Sequence, residues 1–88
     1  MVNVEKWYAT WCAPCQHIAP ILDDMEAKGL ISLTSFDVEQ NMPAARASRV
    51  RGVPTLIVRD GDGNELARFQ DHVSLQQYID GENNTPTY

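Results

Sequence analysis

The chain's only two cysteines, Cys12 and Cys15, lie three positions apart, where an apolar run gives way to a helical repeat. That junction constrains the fold more than any other feature of the sequence. Val2 to Ala9 is rich in β-branched and aromatic residues and predicts a strand. Beyond the cysteines, Ile18, Ile21, Leu22 and Met25 recur at i, i+3, i+4 and i+7, which is one face of a helix. Gly29 is placed to end that helix at C′, and Pro20 inside it predicts a kink. Leu30 to Val38 predicts a second strand. Strand, helix and strand in this order make a right-handed βαβ unit with parallel strands.

The remaining segments add a short helix, a hairpin and a last helix. Asn41 is placed to cap a short second helix reaching Arg49, with Pro43 in its first turn. Thr55 to Arg59 and Glu65 to Phe69 predict strands joined through the turn cluster Asp60-Gly61-Asp62-Gly63-Asn64, hence an antiparallel hairpin. Ser74 and Gln77 fit a capping box for a last helix, with Val73 as its hydrophobic staple and Leu75, Tyr78 and Ile79 as its apolar face. The order βαβαββα predicts an α/β fold: a four-stranded mixed sheet with helices on both faces. No internal repeat or linker interrupts it. A single domain over residues 1–80 is expected, with a loose polar tail over 81–88.

Composition narrows the partners. The chain has 88 residues, 43% of them hydrophobic, which suffices for one core between two layers. Seven basic against twelve acidic residues give a net charge of −5, which disfavours nucleic acid and anionic membrane surfaces, since both need clustered Lys and Arg. The one small basic cluster, Arg46, Arg49 and Arg51, is read as a solvated helix face. Asn3, Glu5 and Lys6 break up the N-terminal apolar residues, so no signal peptide is read there, and no run reaches membrane-spanning length. A cytoplasmic setting is expected, where thiols stay reduced and a lone pair of cysteines is more often catalytic than structural.

A thiol attacks a disulfide only as its thiolate, and an ordinary cysteine is about 3% ionised at pH 7. A helix N-terminus favours the anion through free N–H groups and the positive end of its dipole. Cys12 stands at such a terminus, and Pro14 suits the first turn because its missing N–H needs no partner. Cys15 is one turn further on, so the two sulfurs can close a disulfide. The reading is that Cys12, exposed at the helix start, attacks, and that Cys15, buried by the helix, resolves the mixed disulfide. Three other uses of the pair stay open at this point. Zinc needs about four ligands, and beside the two cysteines the chain offers only His17 and His72. An inert structural disulfide is a second, and two buried unreactive thiols a third. No metal and no cofactor is expected.

The stretch Trp7-Tyr8-Ala9-Thr10-Trp11-Cys12-Ala13-Pro14-Cys15, with Pro20 following, and the later stretch Gly52-Val53-Pro54-Thr55 together resemble the thioredoxin family across about residues 2 to 80. The resemblance implies a thioredoxin fold, a cis Pro54 facing the cysteines, and a substrate strand pairing with backbone beside it, which makes Val53 substrate-contacting. It implies that Trp11 lies over the disulfide and that Trp11, Ala13, Pro14, Val53 and Pro54 meet the substrate. The function implied is reduction of protein disulfides through a redox-active Cys12–Cys15 pair, by a monomer recharged by a thioredoxin-reductase-type flavoenzyme, with clients that include ribonucleotide reductase. A glutathione-dependent, glutaredoxin-like reductase and a non-catalytic binding module of the same fold are the alternatives.

Several residues depart from the family pattern. The chain reads as a short, glutaredoxin-sized thioredoxin that begins at the strand leading to the cysteines, without the usual preceding strand and helix. Ala13-Pro14 stands where Gly-Pro is usual. The family's buried Asp aligns with Lys6, and its Lys partner aligns near Ser35. Lys6 either lowers a thiol pKa by its charge or is solvent-exposed, and exposure is the expectation, while Glu5 should face the opposite side of the strand. Asp71 aligns near a family glycine beside the substrate groove. His17 is read as a surface residue just past the helix start.

Overall fold

The structure, a computed structural model, describes residues 1–83. Its elements are β1 (Val2–Tyr8), α1 (Ala13–Ala27), β2 (Ile31–Asp37), α2 (Met42–Ala47), β3 (Thr55–Arg59), β4 (Glu65–Phe69) and α3 (His72–Asn83). The four strands form one mixed sheet in the order β2-β1-β3-β4. β1 runs parallel to β2, and β3 is antiparallel to both β1 and β4.

Side-chain alternation along β1 divides the core into two layers. Val4 packs with Ile18 and Leu22 of α1 and with Leu75 and Ile79 of α3. Trp7 points the other way, onto Ala45 of α2 and Ile57 of β3, and stacks on Phe36 at a centroid distance of 4.9 Å. Leu22, Ile31, Leu56, Ile57, Leu75 and Ile79 are fully shielded from water, and each contributes about 1.5–3 kcal/mol of burial. Glu5 shares the Trp7 face, as expected. Its carboxylate accepts from Trp7 Nε1 at 2.9 Å and from Arg59 Nε at 3.0 Å.

The helix ends explain how the chain turns. After α1, Gly29 adopts φ 75°, the Gly29 N–H donates to the Glu26 carbonyl and the Leu30 N–H to the Met25 carbonyl, a Schellman closure. Arg49 does the same job after α2, at φ 55°, with the Val50 N–H donating to the Ala45 carbonyl. A non-glycine residue rarely takes this conformation. Here Arg68 braces it, donating through Nη1 to the Arg49 carbonyl at 2.9 Å and through Nη2 to the Ser48 carbonyl at 2.6 Å. Arg59 adds a bond to Ser48 Oγ at 3.2 Å.

Five local expectations are corrected. Helix α2 stops at Ala47 rather than Arg49, and Asn41 does not cap it with its side chain. Asn41 Nδ2 instead donates to the Asp37 carbonyl at 3.0 Å. Ser74 is not the cap of α3. Asp71 is, accepting from the Ser74 N–H at 2.7 Å and from its hydroxyl at 3.0 Å, because a carboxylate outcompetes a hydroxyl as acceptor. Val73, the expected staple, is 53% exposed. Finally, α3 continues through Gly81 to Asn83, so the expected tail does not begin at Gly81. The rest of that expectation, residues 84–88, lies outside the described residues. Helix α1 runs unbroken through Pro20.

The cap at Asp71 gives a pH signature. Hydrogen bonds from Ser74 hold its carboxyl below the usual aspartate range, so its contribution is complete above that range and is lost as pH falls through the lowered value. Asp71→Ala is therefore expected to lower the urea midpoint at pH 7. The gap to the parent chain should close on acidification toward pH 2, as followed by circular dichroism.

Candidate active site

The site grows from the end of β1. The chain leaves the sheet at Tyr8, and the Cys12 N–H returns to the Ala9 carbonyl at 3.2 Å, a tight loop that delivers Cys12 to the N-cap of α1 with an extended backbone. There Cys12 Sγ accepts the Cys15 N–H at 3.2 Å. This is the contact a serine or aspartate oxygen ordinarily makes at an N-cap. Gln16 Nε2 holds the loop from the other side, donating to the Thr10 carbonyl at 2.9 Å. Cys12 and Cys15 form a disulfide, with Cα atoms 5.2 Å apart.

Exposure does not separate the two cysteines as the sequence reading supposed. In the disulfide form Cys12 is 4% exposed and Cys15 3%. Cys12 is covered because its sulfur folds inward over the helix start to meet both Cys15 and the Cys15 N–H. What distinguishes it is this capping position. Trp11, Ala13 and Pro14 around it are exposed.

The second motif meets the first at this point. The Val53–Pro54 peptide is cis, Pro54 is buried, and Val53 packs with Tyr8 and Val38 against the buried cluster of Ala9, Cys12 and Cys15. Thr55 Oγ1 donates to the Gly52 carbonyl at 2.6 Å and closes the turn. The bracing of α2 by Arg59 and Arg68 fixes the segment just before this turn. Two motifs some forty residues apart are thus joined through the far face of the sheet.

Trp11 is 69% exposed, and its Nε1 donates to Glu39 Oε1 at 2.8 Å. Its ring walls a mainly apolar groove with Val38, Val50, Arg51 and Val53. Val38, Val50 and Arg51 were not singled out for the site by sequence. The signal available was weak: Val38 is the last residue of the predicted second strand and Val50 a single apolar residue just past the predicted second helix. Asp71 does not line this groove, since its carboxylate is taken up by the α3 terminus. His17 is exposed, with its ring 6.2 Å from that of His72. Among the described residues no group of three or more His, Cys, Asp or Glu is gathered for a metal.

The largest departure is Lys6. It is buried, at 9% exposure, not solvent-exposed as expected. Position 6 shares the face of Val4, onto which α1 and α3 pack, and lies between Leu56 of β3 and Ser35 of β2. Its ammonium lies over the Tyr8 ring, 5.3 Å from the centroid.

With that geometry in view, the comparisons are specific. The profile of the thioredoxin family matches residues 2–81. A thioredoxin from Staphylococcus saprophyticus is 35% identical over 83 residues, covering 90% of this chain and 80% of its own length. A thioredoxin from Staphylococcus aureus gives the same figures. Among solved structures, a point-mutant thioredoxin from Halobacterium salinarum superposes with a TM-score of 0.81 at 30% identity, over 98% of this chain and 78% of that one. Fasciola hepatica thioredoxin gives 0.78 at 31%, over 89% and 77%.

Proposed function

Because the chain belongs to the thioredoxin family and is, with its Cys12–Cys15 pair, a thiol–disulfide oxidoreductase, we propose that Cys12 is the attacking sulfur and Cys15 the resolving one. Disulfide-containing proteins are its substrates and a reductase its electron source, as for the family generally. The observation that carries the assignment is the Cys15 N–H directed at Cys12 Sγ across the first turn of α1. That donor, with the helix dipole behind it, favours negative charge on Cys12 rather than on Cys15.

The cycle begins with the reduced pair. The Cys12 thiolate attacks one sulfur of a client disulfide, forming a mixed disulfide and releasing the other client sulfur as a thiolate, which takes a proton. Cys15 loses its proton and attacks Cys12 Sγ. The Cys12–Cys15 disulfide closes and the second client sulfur leaves as a thiol. The client has gained two electrons and the pair has lost two. An external dithiol returns them, and a thioredoxin-reductase-type flavoenzyme is the proposed donor.

The client is proposed to lie as an extended strand beside Val53 and Pro54, with Trp11, Ala13 and Pro14 forming the rim around the reacting sulfur. Exposure of the three rim residues and the apolar groove below Trp11 support this, since strand addition draws affinity from backbone bonds and specificity from side-chain pockets. Ribonucleotide reductase is among the clients this reading includes. The protein is proposed to act as a monomer in the cytoplasm, a reducing compartment, through one domain spanning residues 1–80. Its net charge of −5 supports a reading without nucleic acid or membrane partners.

Insulin reduction by dithiothreitol tests the chemistry. The parent chain should accelerate the appearance of turbidity at least tenfold and Cys12→Ser should abolish the effect. No acceleration, or one that survives the substitution, overturns the assignment. Turnover with glutathione and glutathione reductase as the sole electron source would instead indicate the glutaredoxin-like alternative. Trp11→Ala tests the rim. Its KM for a protein disulfide should rise severalfold, while its rate with a small aromatic disulfide stays within about twofold, because a small disulfide reaches the sulfur without the groove.

A further inference from the structure

Among the described residues Lys6 is the one buried charge in this layer of the core. Three ion pairs occur among the described residues, Lys28–Asp24, Arg59–Glu5 and Arg68–Glu65, and Lys6 is in none of them. Glu5 faces the opposite layer. On α1, Asp24 is held by Lys28, and Glu26 accepts the Leu33 N–H. Lys6 lies between Leu56 of β3 and Ser35 of β2, and Asp37, whose Oδ1 accepts the Glu39 N–H, follows Ser35 on the same face without pairing with Lys6. A buried ammonium without an anion is unfavourable, and a leucine of similar reach would pack there at lower free energy.

The direction of the side chain matters. The ammonium lies over Tyr8, two residues further toward the C-terminal end of β1, a cation–π contact. Tyr8 in turn packs against the cluster of Ala9, Cys12 and Cys15. The charge is therefore displaced toward the cysteines, with one aromatic ring between. Reduction of the disulfide adds an anion there, beside the Asp37 carboxylate that faces Tyr8 from β2.

We infer that Lys6 sets the redox balance of the Cys12–Cys15 pair, its ammonium stabilising the anionic reduced form and making the disulfide a stronger oxidant. This rests on the pair being redox-active, as proposed above. With glutathione as the couple, one disulfide and two glutathione thiols give one thiolate, one thiol, glutathione disulfide and one released proton. The disulfide is neutral and the reduced pair carries one negative charge, so a nearby positive charge favours reduction. Lys6 touches neither client nor sulfur and acts as a positioning residue through the field it sets.

The test is equilibration of the full chain with glutathione buffers, read as the constant between disulfide and dithiol. Lys6→Met keeps most of the stem and removes the charge. It should shift the constant roughly three- to thirtyfold toward the disulfide. Lys6→Arg keeps the charge and should stay within about twofold of the parent. A Lys6→Met constant within twofold of the parent overturns the inference, as does an equal shift in both variants. A parent pair that never exchanges with glutathione or dithiothreitol would defeat the redox reading itself, which is a separate result. The unmutated chain gives a reading that needs no variant to fold. Reductive methylation of Lys6 should be slower in the reduced than in the oxidised protein, with Lys28 unchanged as the control. Equal rates at Lys6 overturn the inference.

Discussion

The Cys15 N–H directed at Cys12 Sγ, at 3.2 Å, is the contact on which the rest of the site depends. A helix start leaves backbone donors without partners, and a sulfur at the N-cap supplies an acceptor. The same contact serves folding and the proposed chemistry: it ends the loop from β1, begins α1, and in the proposed cycle is where negative charge collects on reduction. Pro14 in the first turn removes a donor that would otherwise need satisfying.

The second half of the site arrives by a different route. Val53 and Pro54 follow the end of α2, which packs on the opposite face of the sheet through Ala45, Trp7 and Ile57. Arg68 holds the Ser48 and Arg49 carbonyls, and Arg59 joins Ser48 to Glu5. These bonds fix where α2 stops, and hence where the chain turns to meet the cysteines. Side chains on β1, β3 and β4 thereby hold a loop against which Cys12 and Cys15 pack. Fold and site share the arginines, although none of them is near the sulfurs in sequence.

Element order, sheet class and the cysteine site were legible in the sequence because each rests on local pattern. The helical spacing of Ile18, Ile21, Leu22 and Met25, the positive-φ role of Gly29, and the hairpin turn at Asp60 to Asn64 are all decided within a few residues. The features misread were decided by contacts distant in sequence or by competition between neighbours. Lys6 was expected outside because lysine usually is, yet the alternation that puts Val4 in the core puts position 6 there too. Ser74 had the right residue type for a cap but lost that place to Asp71, a stronger acceptor three residues earlier. Val38 and Val50 carried no pattern of their own, so the groove under Trp11 appeared only once β2, α2 and the turn at Pro54 were assembled.

The central claim is that Cys12, held at the start of α1, is the sulfur that bonds to the client. Trapping the mixed disulfide tests it most directly. The Cys15→Ser variant, reduced and mixed with a disulfide-bonded protein, should accumulate a covalent complex that dithiothreitol dissolves, with Cys12 mapped by mass spectrometry as the joined residue. The same complex formed by Cys12→Ser through Cys15, and not by Cys15→Ser, would contradict the assignment.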